Sequence, residues 1–218
     1  RMTAGIAHEI RNPLGIIRGT GQHLQRVLAD AGIEDETADL IPEEVDRLDR
    51  ILEGYLAFGT DRTGPSENFD PAAIVARGIR LVEDEMAERG VTVSYARASV
   101  PAVHGDPRRL QQVVLNLLLN ARDAMPDGGE IRISLAETDD GVLLMVADQG
   151  PGPGSNPERL FEPFRTTKEK GSGLGLALSR RIIEEMGGTL TLAHCLEWQG
   201  AVASVRLPAA TGGAGTEH

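Results

Sequence analysis

Residues 6–28 read IAHEIRNPLGIIRGTGQHLQRVL, and their apolar spacing decides the first part of the fold. At about 100° per residue, with Ile10 at zero, Ile6, Leu14, Ile17, Leu24 and Leu28 fall within about 40° of one line. That stripe predicts an amphipathic helix. The pair Asn12-Pro13 would locally read as a helix stop. The apolar phase runs straight through it, so the spacing predicts a kinked helix in which Pro13 cannot donate to the carbonyl of Glu9. Further on, Ile41, Val45, Leu48, Leu52 and Tyr55 follow the alternating four-and-three spacing of a bundle seam. Pro42 stands either in the first turn of this second helix or at a kink within it. Asp30 to Asp35 reads as the turn between the two. A hairpin of two such helices cannot enclose its own stripe, but two hairpins can, as a four-helix bundle with twofold symmetry. Burial therefore predicts a homodimer.

Beyond the hairpin, expected over residues 1–60, the grammar changes. Residues 61–69, polar and carrying Gly64-Pro65, predict a linker. From 70 to 208 helical and extended patterns mix. Asp70 before Pro71 and Asp106 before Pro107 read as N-caps, opening helices to Arg89 and about Ala124. Val91–Tyr95, Glu130–Ala136, Val142–Ala147, Thr189–Ala193 and Ala201–Leu207 read as strands, with a hairpin turn at Thr138 to Gly141. A last helix is expected from Gly173 to Met186. This order predicts an α+β chain: a helical hairpin, then an α/β sandwich with a mixed sheet and helices on one face. The Gly- and Ala-rich residues 209–218 predict a disordered tail.

Bulk composition narrows the function. A formal charge of −11 argues against nucleic-acid binding, which calls for a basic surface. One cysteine, Cys195, excludes an internal disulfide and a cysteine metal cluster, and it reads as a packing residue. No apolar run approaches the length of a membrane span, and no signal peptide is visible. The chain opens on Arg1 with helical patterning under way, so it reads as a fragment. Its expected location is the cytoplasm, with membrane attachment, if any, through upstream segments.

Four stretches can carry chemistry. His8 lies about 160° from the apolar stripe, with Asn12 within about 40° of it on the same outward face. A neutral imidazole is a competent nucleophile when one nitrogen is free and the other is held by an acceptor. Glu9 can be that acceptor, and Asn12 can position a small polar reactant. His23 and His194 lack such company and read as structural or merely exposed. Asp148-Gln149-Gly150-Pro151-Gly152, directly after a strand, can present a carboxylate while the backbone approaches a ligand closely. Gly171-Ser172-Gly173-Leu174-Gly175 opens a helix and can offer amide donors to phosphate, yet it fits neither the P-loop nor the dinucleotide spacing. Asn116 and Asn120 share one helix face amid leucines, where unpaired amides are costly, so they face something polar: a structural network or a Mg²⁺–phosphate site.

Taken together and in order, these stretches resemble the sensor histidine kinase family over nearly the whole chain. AHEIRNPL (7–14) resembles its phospho-acceptor box, NLLLNARDA its asparagine box, DQGPG its first glycine box, FEPF its phenylalanine box and GSGLGL its second glycine box. FRTTK (164–168), with a short lid, is similar to the nitrogen-regulator-like branch. The resemblance implies ATP and Mg²⁺ as cofactors and a response-regulator receiver domain as partner. It implies that His8 takes the γ-phosphoryl on its ε nitrogen, that Glu9 orients the ring and acts as acid/base, and that Asn12 places a water for dephosphorylating the partner. Asn120 is implied as the Mg²⁺ ligand, Asn116 at the phosphates, and Asp148 as acceptor of the adenine amino group. Gly150, Gly152, Gly171, Gly173, Leu174 and Gly175 line the implied pocket, and Lys168 reaches phosphate from a lid spanning Pro153 to Ser172, anchored by Phe161 and Phe164. Two departures stand out. Pro153-Gly154 replaces the usual isoleucine after Gly152, and Asp123 stands where many relatives carry a basic residue.

Rival readings share the nucleotide fold. Gyrase-type and heat-shock ATPases place a glutamate base where this chain has Asn116, and an amide cannot take a proton, so direct hydrolysis should be slow. The alternative kept open is a nucleotide-binding scaffold acting mainly as a phosphatase of its partner.

Overall fold

The structure, a computed structural model, describes residues 2–33, 35, 38, 40–42, 44, 45, 48, 64–95, 97–166, 173–198 and 200–210, without the side chains of residues 2–11. It divides into two units, residues 1–62 with 163–175, and residues 63–162 with 176–218.

In the first unit α1 (Met2–Asp30) is one helix, continuous through Pro13. It ends where the turn was expected. Gly32 adopts φ 68°, Gly32 N–H donates to Ala29 O at 3.0 Å, and Ile33 N–H donates to Leu28 O at 2.9 Å. These are the two bonds of a Schellman cap, which needs a left-handed residue at that position. Helical residues resume at Ala38, and Pro42 lies among them, so the proline falls within the second helical segment and not at its start. The predicted stripe divides in two. Leu14, Arg18, Gly21, Gln25 and Leu28, at four-and-three spacing, form the covered side. Gly21 sets the approach, because a Cβ there would lie 2.9 Å from Ile41 Cγ2 and 3.2 Å from Pro42 Cδ. Ala38 and Val45 are buried opposite. Ile17 (48% exposed), Leu24 (41%) and Leu48 (42%), expected in the seam, face outward in the single chain. Leu52 and Tyr55 lie outside the described residues.

The second unit begins with β1 (Glu67–Phe69), then α2 (Pro71–Glu88), β2 (Val91–Tyr95), β3 (Val103–Gly105), α3 (Pro107–Asp123), β4 (Gly129–Thr138) and β5 (Gly141–Ala147). A 3-10 turn (Pro157–Phe161), α4 (Gly175–Glu185), β6 (Thr189–His194) and β7 (Ala201–Pro208) complete it. The main sheet runs β2-β4-β5-β7-β6, with β2 parallel to β4 and every other pair antiparallel. Alternation along the strands gives one apolar face. Ile133 pairs with Val146, Leu135 with Leu144, Val142 with Leu207, and Leu144 with Val205, and all are buried. Val75, Val82 and Met86 of α2, Leu110, Val113, Val114, Leu117 and Leu118 of α3 and Ile182 and Ile183 of α4 are buried on the helical side of the core. The expected mixed sheet with helices on one face is therefore what forms.

Both predicted N-caps hold. Asp70 Oδ1 accepts from Ala72 N–H at 2.8 Å, and Asp106 Oδ1 accepts from Arg108 N–H at 2.9 Å. The other oxygen of Asp106 accepts from Gly64 N–H at 2.7 Å, so one carboxylate caps α3 and ties down the incoming chain. The stretch expected to be linker thus ends in structure: β1 pairs with β3 in a two-stranded sheet. Three-residue strands carry too little alternation to be read, and only their pairing defines them. The expected tail also starts late. Ala209 bridges Val103, and Ala210 N–H donates to Ala102 O at 2.7 Å, while residues 211–218 lie outside the described residues.

Candidate nucleotide site

Asp148 follows β5 directly, and the sheet fixes it from its neighbour β7. Its N–H donates to Ala201 O at 2.9 Å, and its Oδ1 accepts from Ala201 N–H at 3.1 Å and from Gly150 N–H at 2.9 Å. The residue is only 6% exposed. Both bonds fall on Oδ1, so Oδ2 is the oxygen left to accept from something else. Burial pushes the carboxyl above its ordinary value, and the bonds from Ala201 and Gly150 pull part of that back. Gly200 packs so closely on the Asp148 carbonyl that a Cβ there would overlap it. A Cβ at Gly150 would meet Ala124 Cβ and O at 2.9 Å. Gln149 turns the other way, its Oε1 accepting from Glu130 N–H at 3.0 Å.

Asn116 and Asn120 sit one turn apart on α3, both half-buried. Asn116 Nδ2 donates to Ser179 Oγ of α4 at 3.1 Å, and Ser179 is fully buried. That bond fixes which way the Asn116 amide is turned. Sequence reasoning missed Ser179, although the signal was present: a serine occupies the apolar stripe of Leu178, Ile182 and Ile183. Asp123 pairs with Arg122 at 2.6 Å, and Arg122 also pairs with Glu85 of α2, a structural network.

Around the expected lid the two phenylalanines part company. Phe161 is buried, with the Arg180 guanidinium 3.4 Å over its ring centre. Arg180 also holds Glu158 through two bonds of 2.8 and 3.2 Å, so the 3-10 turn is clasped to α4. Phe164 was expected as a second anchor, but it is 61% exposed, with φ 63°. Among the described residues, Phe161 is the one of the two with a partner over its ring. In the first unit, Gly173 has φ 66°, Leu174 is buried, and Gly175 is the first residue of α4. The helix thus starts two residues later than expected, because Gly173 is left-handed. Lys168 and Gly171 lie outside the described residues.

His8, Glu9 and Asn12 all lie on α1, and its continuity keeps His8 and Asn12 four residues apart on one helix. Asn12 is exposed. The backbone thus keeps the predicted spacing, while the side chains of His8 and Glu9 lie outside the described residues.

Comparison with known proteins agrees with this division. Residues 1–64 match the family profile described as the His Kinase A (phospho-acceptor) domain, and residues 105–211 match that of the histidine kinase-, DNA gyrase B- and HSP90-like ATPases. The chain belongs to the sensor histidine kinases. It is 34% identical over 209 residues to the sensor histidine kinase ZraS of Escherichia coli O157:H7, covering 95% of this chain and 45% of that protein. Sporulation kinase A of Bacillus subtilis (strain 168) is 34% identical over 194 residues, 87% of this chain and 31% of its own length. The chain therefore spans less than half of these relatives. Among solved structures, full-length ShkA in complex with AMPPNP superposes with a TM-score of 0.74 at 27% identity, over 97% of this chain and 46% of that one. ThkA in complex with the response regulator TrrA gives 0.70 at 28%, over 96% and 61%. The ATP-binding fold and the helical phospho-acceptor region are thus common to this chain and its relatives. Among the described residues no helix is long and apolar enough to cross a membrane.

Proposed function

We propose that this chain is the catalytic core of an ATP-dependent protein-histidine kinase that phosphorylates its own His8 and passes the phosphoryl group to an aspartate of a response regulator. The observation that carries the reading is Asp148. It is a buried carboxylate at a strand end whose two backbone bonds occupy one oxygen and leave Oδ2 to accept from the adenine amino group. The close packing of Gly150 and Gly200 around it suits a flat ligand approaching along the backbone.

Mg²⁺ fits the donors available. Among the described residues no group of three or more His, Cys, Asp or Glu could hold a metal on its own. Mg²⁺ in phosphate sites takes one or two protein oxygens and relies on phosphate for the rest, a role within reach of the Asn120 amide oxygen. ATP, when bound with Mg²⁺, supplies the γ-phosphoryl group, and this chain's residues do the remaining work. Asn116, turned by Ser179, serves the phosphates. Gly152, Gly173, Leu174 and Gly175, with Lys168 and Gly171, shape the pocket and lid. At His8 the ε nitrogen forms the N–P bond as the bond from phosphorus to the β–γ bridging oxygen breaks. Glu9 holds the proton on the δ nitrogen so that the ε lone pair stays available.

Asn12, exposed four residues after His8, holds a water through its carbonyl without ionising, which is the requirement for dephosphorylating a docked receiver domain. The response regulator held by ThkA supports a receiver domain as the partner. The outward Ile17, Leu24 and Leu48 support a homodimer through the helical hairpin. We place the activity in the cytoplasm, with any membrane attachment supplied by other segments of the protein.

The experiment is labelling with γ-labelled ATP and Mg²⁺. The phosphate acquired should be acid-labile and base-stable, as a phosphoramidate is. His8→Gln should abolish it while ATP binding persists, and undiminished labelling in that variant would refute the assignment.

A further inference from the structure

His194, the last residue of β6, shows no company in sequence, yet its ring lies against the first glycine stretch. Its Nε2 is 3.1 Å from Gly154 O. Its Nδ1 and Cε1 lie 2.6 and 2.8 Å from where a Cβ of Gly152 would stand, and Gly152 has φ 80°. The imidazole thus fills the space that only a glycine leaves open. A carbonyl can only accept, so the contact is a hydrogen bond when Nε2 carries the proton. The same hairpin turns at Cys195, whose N–H donates to Gly200 O at 2.8 Å, and returns to donate the Ala201 N–H to Asp148. One β-hairpin therefore grips the segment at both ends, at the Asp148 carboxylate and at Gly154. Between those points lies Pro153-Gly154, the departure from the family pattern. Pro153 lacks an N–H with which to anchor the loop itself, and Gly154 is left-handed at φ 74°.

We propose that His194 is a positioning residue for nucleotide binding: its Nε2–H latches Gly154 O and fixes the root of the ATP lid relative to Asp148. This rests on the nucleotide-site reading above. The latch supplies an anchor that Pro153, without an N–H, does not, and it preorganises the loop before nucleotide arrives.

The test uses hydrogen exchange of the amides of Gly150, Gly152, Gly154 and Ser155 in the whole chain without nucleotide, alongside calorimetric ATP binding. His194→Phe keeps a ring beside Gly152 but has no donor. His194→Gln restores an N–H donor at similar reach. Exchange should quicken about two- to tenfold in the Phe variant, the range of one hydrogen bond, and return toward the parent rate in the Gln variant. The Michaelis constant for ATP should rise by a similar factor in the Phe variant, with the turnover number nearly unchanged. Equal exchange in parent and Phe variant overturns the latch. So does a Gln variant that exchanges as fast as Phe, since ring packing alone would then be the cause. A parent that binds no ATP overturns the nucleotide-site reading, while the exchange measurement still decides whether the latch exists.

Discussion

Asp148→Asn should weaken ATP binding and stabilise the fold at neutral pH, two effects of opposite sign from one atom replacement. The asparagine carbonyl can stand where Oδ1 stands and keep the bonds from Gly150 N–H and Ala201 N–H, at 2.9 and 3.1 Å in the parent. The amide nitrogen then takes the place of Oδ2 and faces the adenine amino group, donor against donor. A hydrogen bond to a charged group is worth about 1.5–3 kcal/mol, so affinity should fall about ten- to a hundred-and-fiftyfold. Stability moves the other way. Burial raises the carboxyl above its ordinary value, so the native state favours the protonated acid. The stability this gives is complete below the unfolded carboxyl value, about 3.9, and is lost as pH rises through the raised folded value. Asparagine never ionises and escapes that loss, so its advantage should be present at neutral pH and close in acid. ATP affinity of the parent should fall as pH drops through the same raised value, because the acceptor is then protonated. Asp148→Ala is the contrast, since it strands two N–H donors and should lose stability as well as affinity. Calorimetry and thermal unfolding at neutral and acid pH read both effects. An Asn variant that binds ATP within twofold of the parent refutes the assignment of Oδ2.

Ser179→Ala should leave the fold nearly intact but remove one bond that orients the Asn116 amide, lowering phosphoryl transfer severalfold more than ADP affinity; equal losses in both would show a packing role only. Ile17→Glu or Leu48→Glu should shift the chain toward monomer in sedimentation, because a charge buried without a partner in the bundle costs several kcal/mol. A dimer of undiminished affinity would move the interface elsewhere. Asn12→Ala should keep much of the autophosphorylation and lose most of the phosphatase activity toward a pre-phosphorylated receiver domain. Glu9→Ala should instead depress autophosphorylation about a hundredfold, the low end of acid–base catalysis.

The first helix was legible in its spacing, because the apolar phase runs on through Pro13, and Asp70 and Asp106 announced their helices by chemistry. What escaped was whatever depends on pairing at long range. β1 and β3 have three residues each, too few for an alternation to be read, so neither reads as a strand until it meets the other. The stripe of α1 read as one face, although Leu14 turns inward and Ile17 outward, since local periodicity cannot say which neighbour covers which flank. In the nucleotide site Asp148 and the glycines were visible as motifs, yet their supports were not. Ser179 and His194 reach Asn116 and Gly154 from 63 and 40 residues away; the serine stands out in an apolar stripe, but nothing local names its partner, and His194 carries no local signal at all. Phe164 misled for the converse reason: the motif gives both phenylalanines the same standing, and among the described residues it is Phe161 that finds a cation over its ring.

The double duty of Asp106 has a mechanical consequence. One carboxylate grips the first turn of α3 and the backbone of Gly64, so a displacement of Gly64 would be felt at the base of that helix. Asn116 lies ten residues along it, about 15 Å at 1.5 Å per residue. On an arm of that length, a tilt of about 4° carries the Asn116 amide about 1 Å, a misplacement that can cost about a hundredfold in rate. With the proposed role of Asn116, the helix would act as a lever with its fulcrum at Asp106, and a small rotation at the entry of the domain would become a large change at the phosphates.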